Sequence, residues 1–183
     1  AERARQAQAR AEAAAAARRG GTGAANGDQY QGEPFGSGLS GVGVYRFANG
    51  IRYAGEWRST QMHGLGVIRF PNGDWYEGEF RDGRPQGVGV FHFADGILYA
   101  GELTGGKVTG VGRMRFANGD VYAGTLTDGR MNGAGRLAYG TGASFAGTFR
   151  DGQVDGPGVR SFDQGKDKLV IPGIWRGSST VPE

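Results

Sequence analysis

A period of 23 residues runs through most of this chain and limits what it can fold into. Tyr30, Tyr53, Tyr76, Tyr99, Tyr122 and Phe145 recur at that spacing without a gap. Two positions on stand Gly32, Gly55, Gly78, Gly101, Gly124 and Gly147. Two further on come Trp57, Phe80, Leu103, Leu126 and Phe149, and only Pro34 breaks that column. Each unit then carries a Gly-x-Gly, such as Gly64/Gly66 and Gly87/Gly89, and an aromatic column of Phe47, Phe70, Phe93, Phe116, Tyr139 and Phe162. Asn-Gly or Asp-Gly follows in several units, as at Asn72-Gly73 and Asp95-Gly96.

Bulky side chains spaced by two have the period of a β-strand. Each unit holds two such runs of about five to seven residues, with no room for a helix. Pro71-Asn72-Gly73 suits a three-residue loop, Pro taking the first central position of a type I turn and Gly the left-handed bulge position. That loop pairs Phe70 with Asp74, Ile68 with Tyr76 and Gly66 with Gly78. It sends the Tyr, Trp and Phe columns to one face, with the Gly columns among them. Glycine weakens a strand, but rings lying over it, each removing roughly 150–250 Å² from water, offset the loss. The opposite face is predicted to be polar and solvated or partly masked. It carries a Glu column (Glu33, Glu56, Glu79, Glu102) and a basic column (Arg46, Arg69, His92, Arg115), with small or β-branched residues such as Ala54 and Val67 between them.

The run from Tyr53-Ala54-Gly55-Glu56-Trp57 to Asn72-Gly73-Asp74, repeated six times over residues 30–167, resembles the MORN repeat (membrane occupation and recognition nexus). The resemblance implies an all-β fold: an elongated single-layer antiparallel sheet of six stacked 23-residue β-hairpins, with a short N-terminal helix or tail. Residues 168–183 are then a capping strand and tail, Ile171-Pro172-Gly173-Ile174-Trp175 being a half-unit three residues out of phase. The first repeat departs from the pattern at Pro34 and Phe35-Gly36-Ser37-Gly38, the last at Phe145 and Gln164-Gly165-Lys166. Residues 1–29 form an Ala/Arg-rich helical or disordered tail and a Gly linker. Ala13 to Ala17 favour the helix, and without a large apolar stripe it is expected to bury little. Pro34 and Pro172 are candidate guards of the two sheet edges; pairing through an end is the route to an edge-mediated homo-oligomer.

Little in the chain points to catalysis. There is no Cys. His63, expected in a turn, and His92 in the basic column have no metal-ligand spacing. The Glu residues repeat in register as a column, not as an acid–base pair, and no Gly-x-Gly opens a helix to cradle a phosphate. No catalytic residue, metal or cofactor is expected. Nucleic acid is disfavoured because residues 30–183 hold 16 basic and 15 acidic side chains, too even a balance for a basic groove. No apolar run approaches the roughly 18 residues of a membrane span, and a start at Ala1 suits a mature exported chain or a piece of a longer one; cytoplasmic, membrane-peripheral and exported forms all stay open. The resemblance implies a non-catalytic scaffold or adaptor carrying a partner protein or peptide along the sheet. Tyr53, Trp57, Phe70, Tyr76, Phe80, Phe93 and Tyr99 are the candidate partner-binding residues, though core packing would explain each of them and is the favoured role for most. Two alternatives stand beside this: phospholipid head-group association, for which only the N-terminal Arg residues approach a basic cluster, and a regulatory appendage of an enzyme not in this chain.

Overall fold

The structure is a computed structural model that describes residues 1–17, 22–23, 26–33, 40–164, 167–177 and 179–181. Pro34, Phe35-Gly36-Ser37-Gly38, the Gly20-Gly21 part of the linker and Gly165-Lys166 lie outside the described residues. The chain divides into two compact units, residues 1–94 with 103–106, and residues 95–102 with 107–183.

The first unit begins with helix α1 (Glu2–Ala17). Strands β1 (Thr22–Gly23), β2 (Gln29–Gly32), β3 (Ser40–Arg46), β4 (Arg52–Arg58), β5 (Gln61–Arg69), β6 (Trp75–Arg81) and β7 (Arg84–His92) follow. Each pairs antiparallel with the next. Strand β8 (Leu98–Thr104) belongs mainly to the second unit. The second unit continues with β9 (Lys107–Arg115), β10 (Val121–Thr127), β11 (Arg130–Ala138), β12 (Ser144–Arg150), β13 (Gln153–Gln164), β14 (Asp167–Arg176) and β15 (Ser179–Val181). From β9 on, these too pair antiparallel in sequence order.

Two kinds of turn set the register. At Pro71-Asn72-Gly73 the Phe70 N–H donates to the Asp74 carbonyl at 2.9 Å, and Gly73 takes φ +93°. Ile68 consequently faces Tyr76, and Gly66 faces Gly78, as the loop chemistry predicts. At the other end of the hairpins whose turns are described from residue 59 to 152, two consecutive residues have positive φ, for instance Asp128 (48°) and Gly129 (78°), the requirement of a type I′ loop. Ser59 and Thr60 occupy that turn in the second repeat at φ 47° and 67°.

With this register the rings collect on one face. Tyr53, Tyr76, Tyr99 and Tyr122 are fully buried. Tyr53 packs edge-on against Trp57 (5.0 Å between centroids) and Phe80 (4.9 Å), and Tyr122 does the same with Phe149 (5.0 Å). Each ring lies across bare backbone: a Cβ on Gly66 would sit 2.6 Å from Cζ of Tyr53. The buried hydroxyls remain satisfied. Tyr53 donates to the Glu56 carbonyl at 2.8 Å, Tyr99 to the Glu102 carbonyl at 2.8 Å and Tyr122 to the Thr125 carbonyl at 2.8 Å. Burial pushes the Tyr99 hydroxyl up to about 12, which keeps it a neutral donor.

A bulge follows the Tyr-x-Gly of the hairpins, with register shifts between Gly55 and Trp57, Gly78 and Phe80, and Gly124 and Leu126. Carboxylates of the Glu column reach backbone N–H groups of the neighbouring strand. The Glu56 carboxylate accepts the Leu65 N–H at 3.1 Å, and the Glu102 carboxylate accepts the Val111 N–H at 3.1 Å. At the C-terminal end the displaced half-unit re-enters register, Gly158 facing Gly173 and Gly156 facing Trp175. Trp175 is buried, and the Arg160 guanidinium covers its ring at 4.5 Å. Pro172 faces Val159, and β15 pairs only with Ile174 to Arg176, so Pro172 lies in the stretch of β14 that β15 does not cover.

Helix α1 differs from its expectation. Ala4, Ala7, Ala11 and Ala15, spaced by three or four residues along one stripe, are all buried. Ala11 and Ala15 form one cluster with Val42, Val44 and Ala54 of β3 and β4. Short side chains let the helix approach the sheet closely, so a stripe without large apolar residues still buries itself.

Candidate functional site

Successive strand side chains point to opposite faces, so the ring face and its reverse can be assigned residue by residue. On the ring face, Tyr53, Tyr76 and Tyr99 are wholly inaccessible, Trp57 is 4% exposed and Phe80 3%. Phe70 and Phe93 are half-buried. They lie in one aromatic group with Phe91, which stacks on Phe70 at 6.3 Å and on Phe93 at 4.4 Å. Of the seven candidate residues, only these two present substantial surface.

The reverse face of the first unit is occupied. Helix α1 lies across β2 to β6. Near its N-terminus Arg5 grips Glu77 with two hydrogen bonds, 2.6 Å from Nε and 2.8 Å from Nη2. Nearer its C-terminus Glu12 accepts from Arg52 at 2.7 Å and from Gln8 at 2.9 Å. Glu77 is fully buried. Beside it His92 stacks on Trp75 at 3.5 Å with the rings 7° from parallel, and Arg69 covers Trp75 at 4.7 Å. His92 Nε2 is 3.6 Å from Glu77 Oε1, an electrostatic contact too long for a hydrogen bond. Burial pushes the Glu77 carboxyl upward, but the hydrogen bonds and charge of Arg5, aided by His92, outweigh it and hold the group below the usual carboxylate range.

Sequence reasoning passed over Glu77. Its signal was present: the column that holds Ala54, Ala100, Ala123 and Ala146 carries a carboxylate at that one interior position. His63 lies within β5, not in a turn. It lines a cleft of ≈ 250 Å³ with Arg10, Glu33, Glu56 and Arg58. The two carboxylates there accept the backbone N–H groups of Val42 (3.2 Å) and Leu65 (3.1 Å). Among the described residues no group of three or more His, Cys, Asp or Glu side chains is placed to hold a metal ion, and no helix is long and apolar enough to cross a membrane.

In the second unit the reverse face has no helix over it among the described residues. Ala123 faces Arg113 on one side and Arg136 on the other, and Arg136 faces Ala146. All four are exposed, as is Ala134. Val111 is 64% exposed, Val170 50% and Ile174 41%.

The ring-over-glycine packing and the paired turns recur unit after unit, and the MORN repeat matches residues 35–52, 53–75, 76–97, 99–121, 122–144 and 145–166. The chain belongs to the MORN-repeat family. No curated protein matches it by sequence. Among solved structures, this MORN chain is similar to the SAS-4 (dCPAP) TCP domain of Drosophila melanogaster, solved in complex with a proline-rich motif of Ana2 (dSTIL). The identity is 12%, the coverage 82% of this chain and 87% of that one, and the TM-score 0.45.

Proposed function

We propose that this MORN chain is a non-catalytic scaffold that binds a partner protein along its repeat sheet. One observation carries the reading. In the second unit Val111, Val170 and Ile174 stand exposed on the reverse face, and Leu169 on the ring face. The first three lie on a face that no helix covers among the described residues, which leaves it open to a partner. The polar groups that suggest chemistry are otherwise committed: Glu56 and Glu102 to backbone N–H groups, Glu77 to Arg5, the Tyr hydroxyls to carbonyls. On the ring face Tyr53, Trp57, Tyr76, Phe80 and Tyr99 act by holding the sheet's shape, and Phe70 and Phe93 offer ring surface at its margin.

A photo-crosslinking amino acid placed at Val111, and separately at the turn residue Asp128, tests this in extract from the native source. The expected result is a discrete protein adduct at position 111 that Ala123→Glu abolishes, with none at position 128. Adducts of equal strength at both positions, or none at 111, would remove the reading.

A further inference from the structure

We infer that the reverse face of the second unit docks a helix of a partner protein, one carrying a stripe of small residues flanked by acidic side chains. The inference rests on the scaffold reading and names the partner's chemistry.

The first unit supplies the template. There the same columns of the same face hold α1, whose buried alanines meet Val42, Val44 and Ala54. Val111 and Ala134 repeat the Val42 position, and Ala123 and Ala146 repeat the Ala54 position. A surface of small side chains on a twisted sheet accepts a helix only if that helix is also small along the contact, as α1 is. What differs is charge. In the first unit Ala54 faces Val44 and Val67, and a carboxylate, Glu77, waits in the Ala54 column for an arginine of the helix. In the second unit that column holds only alanine, and the valines are replaced by Arg113 and Arg136. Both are exposed, and among the described residues neither these two nor Arg115 enters an ion pair. At these interior columns the sign is therefore inverted: beside Arg52, which pairs with Glu12 nearer the helix C-terminus, the first unit offers Glu77 to Arg5, whereas the second offers Arg113 and Arg136 to an acidic helix. This disfavours a second copy's α1 as occupant, because Arg5, which meets Glu77 in the first unit, would there face Arg113 and Arg136.

Two synthetic peptides test the inference against the full chain. One has the sequence of α1; the other is the same 16 residues with Arg3→Glu, Arg5→Glu and Arg10→Glu. Isothermal titration should show the acidic peptide binding at least about tenfold more tightly than the basic one. The double variant Arg113→Glu/Arg136→Glu, whose changes lie at exposed positions and should leave the melting curve unchanged, should reverse the preference. Equal affinities, no binding of the acidic peptide, or a preference that the double variant leaves intact would overturn the inference. Flotation with phosphatidylserine-containing vesicles that the acidic peptide does not compete away would also overturn it, in favour of a lipid surface. A discrete Val111 adduct together with an idle acidic peptide would keep the scaffold reading and discard only the helix; loss of both would discard both.

Discussion

The two units are built from the same repeat and share one face, yet differ on the other. On the ring face the parallel is close: Tyr53 in the first unit and Tyr122 in the second are both wholly buried, both lie over a Gly pair and both donate to a carbonyl three residues on. On the reverse face Val42 and Ala54 are buried beneath α1, while Val111 and Ala123 at the repeated positions stand in solvent. The ring face is thus what makes each hairpin fold, and the reverse face is where one hairpin is free to differ from another. Aromatic burial is large and each ring needs its glycine, so the ring columns tolerate little change. The reverse columns hold small or charged residues whose cost is set by what lies above them.

The harshest way to probe the shared face is to fill a glycine in each unit. A Cβ at Gly78 would meet the Tyr76 hydroxyl and sit 2.6 Å from Cα of Gly89; at Gly124 it would meet the Tyr122 hydroxyl and sit 2.5 Å from Cα of Gly135. Backbone cannot retreat from such contacts without breaking the pairing. Gly78→Val and Gly124→Val should each cost about 3 kcal/mol or more, read as a large drop in the denaturation midpoint. A harmless substitution at either glycine would break the equivalence of the two ring faces.

The reverse face should respond unequally. Ala54→Leu forces a larger side chain beneath α1, where Ala54 has no exposed surface, and should cost about 1–3 kcal/mol. Ala123→Leu, at the repeated but exposed position, should change stability by no more than about 0.5 kcal/mol. Urea denaturation of the two variants measures the contrast directly. Similar losses would mean that the second unit's face is covered after all.

Much of this was legible in the sequence, for a physical reason. The rings, glycines and Pro71-Asn72-Gly73 loop are local, repeated constraints, and Ile68 facing Tyr76 follows from the loop alone. The Glu column was visible, but its hold on backbone N–H groups of the neighbouring strand was not, since period-two reasoning assigns a face and not a partner. Helix α1 was read correctly as helix-prone and its docking was missed. Four alanines make a stripe only when a surface of equally small residues lies opposite, a complementarity between segments far apart in the chain. Glu77 was hidden in the same way: a carboxylate among alanines has meaning only once Arg5, 72 residues away, is seen to reach it.

The smallest and most selective effect should come from pH, because Glu77 gives the first unit a titrating latch beneath its helix. Glu77 is held below its ordinary carboxylate value, burial opposing and Arg5 prevailing. Such a group stabilises the docked helix fully above the ordinary value of 4.5, and the contribution is lost as pH falls through the lower folded value. His92 acts in the same sense. Burial, with Arg5 and Arg69 adding repulsion, pushes its imidazole below the ordinary 6.5 despite the nearby Glu77. Its contribution is therefore complete above 6.5 and declines as acid protonates it. Acidification should first disturb the His92–Trp75 stack, seen as a change in tryptophan fluorescence. Only at lower pH should it free α1, seen as faster hydrogen exchange of the Ala4–Ala15 amides. The second unit's amides on β10 and β11 should keep their relative protection throughout that range. Glu77→Gln should shrink the lower step to the part owed to Glu12, whose carboxyl Gln8 and Arg52 also hold below its ordinary value, and leave the upper one. If α1 and β10 instead lose protection together in the wild-type chain, acid is unfolding the whole sheet rather than releasing the latch, and the contrast between the two reverse faces owes nothing to Glu77.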